Sequence, residues 1–172
     1  MINKQSFHLH LLLACCLAVL LGSCAKSRDD LSADSVVRGI QNEVEYIQYR
    51  LHQKNQDSGV LYHASGIGYK IIKPGNGRDT MNLNNIPSIV YTRSLFGYDK
   101  VIESSQNLPT SFDNRPLKDH IVGWQIGLTL ITKGGRIILY IPSSLAFGPV
   151  GVPPSIPPNA ILECDITLVD FK

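Results

Sequence analysis

The chain has 172 residues, of which 44% are hydrophobic and 17% charged, and its formal net charge is +2. That is ordinary globular composition, and the length suits one domain with a short extension. A balance so near neutral, with no stripe of interleaved basic and aromatic residues, gives no footprint for nucleic acid or an anionic surface.

The first segment reads MINKQSFHLHLLLACCLAVLLGS, with Lys4 ahead of an apolar run over residues 9–21. A run of about 13 residues is too short to cross a bilayer and has the length of a signal h-region. It ends in Leu21-Gly22-Ser23-Cys24, which resembles the bacterial lipobox, where a cysteine is diacylated and becomes the mature N-terminus. Residues 1–23 are therefore expected to be a lipoprotein signal peptide, with Cys24 as the lipidation site. Several acyl chains make a stable anchor where one is marginal. Ala25 in place of an aspartate fits outer-membrane sorting, so the expected location is the bacterial cell envelope, facing the periplasm. Cys15 and Cys16 would leave with the signal and Cys24 would carry lipid, which leaves Cys164 free and no intrachain disulfide. His52, His63 and His120 lack ligand spacing, so no metal is expected.

Residues 24–35 are polar and read as a flexible tether to a helical extension over residues 36–65. Val36, Ile40, Val44, Ile47 and Leu51 recur at helical spacing and make one apolar face. That face suits packing on the following domain better than a dimerisation coil, because the stripe is short. From Gly66 the period changes to alternation, and Lys73-Pro74-Gly75-Asn76-Gly77 turns the chain. KPGNG is not a phosphate loop, because no Gly-Lys-Ser/Thr follows. Further strands are expected over residues 88–93, 136–141 and 161–171. In the last, Leu162, Cys164, Ile166 and Leu168 face one way and Glu163, Asp165 and Thr167 the other. Residues 121–131 form a short apolar helix stopped by Gly134-Gly135, with two glycines suited to close approach to a sheet. The fold class is α+β: a curved antiparallel sheet, a half-barrel, wrapped around one short helix, with an N-terminal helical extension.

These residues resemble the FKBP-type peptidyl-prolyl cis-trans isomerases, including their lipoprotein members. The resemblance rests on blocks in order: Val90-Tyr91-Thr92, Glu103-Ser104-Ser105, Ile121-Val122-Gly123-Trp124, Lys133-Gly134-Gly135, Ala146-Phe147-Gly148 and Ile156-Pro157-Pro158-Asn159-Ala160. It covers residues 86–172 most closely, within a domain expected over residues 66–172. It implies isomerisation of X–Pro bonds in proline-containing polypeptides, with no cofactor. Trp124 would be the floor under the proline ring, Tyr91 and Phe112 walls, and Ile156 a flap contact. Ile121 would offer its backbone N–H to a ligand carbonyl. The proline-rich stretch over residues 148–160 would be a flap that overhangs the pocket, where fixed φ angles hold a loop in shape.

Six positions depart from the family pattern. Ile102 and Glu103 stand for Phe-Asp, Phe147 for a tyrosine whose hydroxyl reaches the ligand, and Cys164 for a pocket phenylalanine; the resemblance places all four in the site, with Ile102 and Cys164 in place of aromatic walls. His120 stands for a valine and Arg93 for a glycine. Losing one neutral hydrogen bond alone slows a reaction about 2- to 10-fold. Two readings stay open: a lipid-anchored isomerase assisting envelope proteins, or a weakened or inactive peptide-binding lipoprotein of an envelope assembly. Clients and oligomeric state are not written in the sequence. A hydrolase built on Ser143 or Ser144 with His120 and Asp119 is disfavoured, because no Gly-x-Ser-x-Gly elbow exists.

Overall fold

The computed structural model describes residues 28–98 and 100–172. Cys24 and the signal segment lie outside these residues. A long helix, α1 (Arg28–Gln53), comes first and starts inside the stretch expected as a tether. Six strands follow: β1 (Leu61–Tyr62), β2 (Gly68–Lys73), β3 (Pro87–Leu95), β4 (Lys100–Ser104), β5 (Arg136–Ile141) and β6 (Leu162–Phe171). Between β4 and β5 lies a short helix, α2 (Val122–Gly127), extended by a 3-10 turn at Leu128–Leu130.

The strands make one antiparallel sheet in the order β1-β2-β5-β6-β3-β4. Its register follows from side-chain alternation. Tyr91 lies opposite Ile166, which in turn lies opposite Ile137. Residues Ile89, Tyr91, Ile137, Leu139, Ile141, Leu162, Cys164, Ile166 and Leu168 are all buried in one core with Trp124 and Leu128 of the short helix and its extension. The alternation expected for the last strand is therefore present in the fold. Each fully buried aliphatic side chain contributes roughly 1.5–3 kcal/mol, so this face dominates the stability of the domain.

Two glycines let α2 sit close to β5. A Cβ on Gly123 would come within 2.5 Å of Ile141 Cγ2, and one on Gly127 within 2.6 Å of Leu139 Cδ2. Only a missing side chain permits that approach, which brings Trp124 down onto the sheet.

The opposite face of the sheet receives α1. Tyr140, which alternates with the core residues of β5, packs with Phe96 and with Ile47 and Leu51 of the helix. Ile40 of the same stripe rests on Gly66, while Val36 is exposed, so the apolar face engages mainly along its C-terminal half. Glu43 adds a polar clamp: the Ser143 N–H and Oγ–H donate to its two carboxylate oxygens, each at 2.6 Å. Ser143 opens the turn Ser143–Leu145 that leads to Phe147.

Candidate functional site

A cleft of about 450 Å3 opens where β3, β4, α2 and the loop after β5 meet. Ile102, Glu103, Phe112, Ile121, Trp124, Phe147 and Ile156 line it, which gathers seven of the nine residues assigned to it from the sequence. Tyr91 stands behind them, nearly buried, with its ring 5.2 Å from that of Trp124 and 5.4 Å from that of Phe112. Cys164 does not reach the cleft. It is fully buried on β6 with Arg93 of β3 directly opposite, so its expected place at the wall is corrected to a place beneath it.

Local backbone explains how each ring gets there. Phe112, Asp113 and Asn114 take left-handed φ values of +48°, +56° and +61°, which turn the chain after β4. Asp and Asn tolerate that region; for phenylalanine it costs about 1–2 kcal/mol. Packing offsets the strain, since the Phe112 ring lies 5.6 Å from Trp124 and 5.0 Å from His120. Ile121 caps the start of α2, and its carbonyl accepts the N–H groups of Trp124 and Gln125. Its own N–H has no acceptor among the described residues and sits at the cleft wall. The flap closes on itself: Asn159 N–H donates to Gly148 O, and Val152 and Ile156 exchange a pair of backbone bonds. Val152, Ser155 and Ile156 then face the cleft.

The electrostatics centre on Arg93. Its side chain is 10% exposed, and Nη1 donates to Glu103 Oε2 at 2.8 Å across the β3–β4 pair. Burial, and then the adjacent Glu103 carboxylate, raise the Tyr91 hydroxyl far above its ordinary value, so it stays protonated. Burial likewise raises the Cys164 thiol, against a smaller opposing pull from Arg93 and the Trp124 N–H. Arg93 Nε and Trp124 Nε1 are both buried, and apart from the Cys164 sulfur near them neither has a hydrogen-bond acceptor among the described residues. His120 stacks on Trp124 with ring centroids 5.6 Å apart and planes 26° from parallel. Burial lowers its pKa, with Arg115 and Arg93 pushing the same way, so the ring is neutral at pH 7.

In the sequence His120 stood out only as replacing a valine, and Arg115 and Asp119 had no place in the cleft; all three line it. Arg93 stood out as a departure with no role in the site. The signal was available for Arg93, which shares an alternation parity with Tyr91 and so points inward. Among the described residues no helix is long and apolar enough to cross a membrane.

Comparison with known proteins agrees with this arrangement. Residues 80–169 match the family described as FKBP-type peptidyl-prolyl cis-trans isomerase. The chain is 34% identical over 133 residues to the isomerase FkpA of Escherichia coli K12, covering 76% of this chain and 47% of that one. It is 34% identical over 116 residues to the isomerase Mip of Coxiella burnetii, covering 66% and 48%. It thus spans about half the length of these curated relatives. A crystal structure of FkpA from Escherichia coli superposes with a TM-score of 0.65 at 29% identity, covering 99% of this chain and 74% of that one. The aromatic cleft, the sheet around a short helix and these relatives place the chain in the family of FKBP-type peptidyl-prolyl cis-trans isomerases.

Proposed function

We propose that the cleft isomerises X–Pro bonds in polypeptides. Resonance holds such an amide planar behind a barrier of about 18–20 kcal/mol. Rotation breaks no bond, so the site needs no nucleophile. It must favour the twisted amide over the planar one. An apolar surround disfavours the charge-separated planar form. Aromatic rings from Tyr91, Phe112, Trp124 and Phe147 supply that surround, and Ile121 offers an unengaged N–H for a carbonyl. The observation that carries this reading is their convergence on one cleft in a chain of this family.

The test is cis/trans exchange of a Leu-Pro-Phe peptide by NMR exchange spectroscopy. Exchange above background that disappears in Trp124→Ala supports the reading; background exchange from folded wild-type protein sinks it. In that event the second reading takes over, a peptide-binding protein with weakened chemistry. The specific observation in its favour is that Trp124 is 0% exposed.

We further propose that Cys24 carries a lipid anchor and that the chain works on envelope proteins from the outer membrane, facing the periplasm. Leu21-Gly22-Ser23-Cys24 after a short apolar run supports this. Cys24→Ser should release the protein from membrane fractions; a variant that still sediments with membranes removes the anchor.

A further inference from the structure

A proline ring needs the apolar recess of the cleft, and that recess has an occupant. The Arg93 guanidinium carbon lies 4.7 Å from the Trp124 ring centroid, 5.3 Å from that of Phe147 and 5.7 Å from that of Tyr91. Three rings around one cation, with a carboxylate at 2.8 Å, form an aromatic cage already filled from within. Two further facts agree. The Trp124 side chain has no exposed surface, covered by Arg93 and by the stacked His120. Directly opposite Arg93 on β6 stands Cys164, a small residue that leaves room for the guanidinium.

We infer that Arg93 is the specificity-determining residue of this site: its guanidinium holds the recess that a proline ring must enter, and so sets the affinity for X–Pro peptides. The inference rests on the proposed isomerase reading, because that reading names the ligand. Binding requires the guanidinium to leave the cage. Glu103 marks the way out, since its side chain is 47% exposed and already holds Nη1. Only the fraction of molecules with Arg93 displaced is competent, so apparent affinity falls by that fraction. A peptide must offer enough contact beyond the proline to repay this displacement, which discriminates against short apolar sequences.

The chain has a single tryptophan, so fluorescence reads the cage directly. The experiment uses the full chain, acrylamide quenching of Trp124, and titration with a blocked Ala-Leu-Pro-Phe peptide. Arg93→Gly should raise quenching and tighten peptide binding about 2- to 30-fold, the span of a single cation–π stack. Because removing a buried side chain can unfold the domain, Glu103→Gln is measured beside it; it keeps Arg93 and removes its counter-charge. It should also raise quenching. A folded Arg93→Gly protein that binds no more tightly overturns the inference, as does a Glu103→Gln protein with Trp124 as protected as in wild type. Exchange measured in parallel separates the two claims. Tighter binding with background exchange keeps the role of Arg93 and removes catalysis. Equal affinity with active exchange does the reverse.

Discussion

His120 meets Trp124 face to face and Phe112 edge on, and that placement makes the site sensitive to pH. Burial holds the imidazole below its ordinary value of 6.5, helped by Arg115 and Arg93 and opposed by Asp119 and by the Arg115 carbonyl. A depressed folded-state value means that the unfolded chain binds the proton first. The stabilising contribution is therefore complete above pH 6.5 and is lost as pH falls through the lowered value. Acidification to about pH 5 should destabilise wild-type protein more than His120→Gln, whose side chain does not titrate. Thermal midpoints across that range check this; parallel curves for the two proteins would remove the role of His120. The rings of the site were legible one residue at a time, because Tyr91, Trp124 and Phe147 sit in recognisable blocks. The charge inside it was legible only in the alternation parity that Arg93 shares with Tyr91. A lone arginine in a strand reads as solvated, and Arg93 is buried only because Glu103 and Cys164 arrive on the two neighbouring strands.

At the level of elements, the joint between α1 and the turn before Phe147 depends on Glu43 and Ser143. Hydrogen bonds to a charged group contribute about 1.5–3 kcal/mol, more than an exposed contact would. Glu43→Gln should lower the melting temperature by several degrees and expose α1 to protease, while leaving the sheet core intact. Leu51→Ala, which empties a site in the second core, should cost about 2–5 kcal/mol and serves as the scale. A melting temperature unchanged in Glu43→Gln would show that packing alone docks the helix. Strands with strong alternation, β3, β5 and β6, were visible in the sequence to within two residues. β4 was not, because Lys100–Ser104 is short and lies at an edge where all its residues but Ile102 are exposed, so no alternation shows. The start of α1 was set too late, since polar residues 28–35 carry no apolar stripe and yet continue the helix.

Across the whole molecule, the order β1-β2-β5-β6-β3-β4 puts the last strand of the chain inside the sheet. β6 pairs with β3 on one side and with β5 on the other. Sequence pattern announced the strands and their inward faces; it could not announce this order, which depends on pairings between distant segments. The order also fixes when folding can happen. A chain that emerges N-terminus first can pair β1 with β2, β2 with β5 and β3 with β4 before β6 appears, and neither of these separate pieces of sheet encloses the core. Until residues 162–171 are available, β3 and β5 have no strand to join them. Closure of the sheet is thus a late event with a large loop-closure cost, and synthesis of this domain runs to its end before its folding does. Refolding followed by Trp124 fluorescence should accordingly take milliseconds to seconds rather than microseconds.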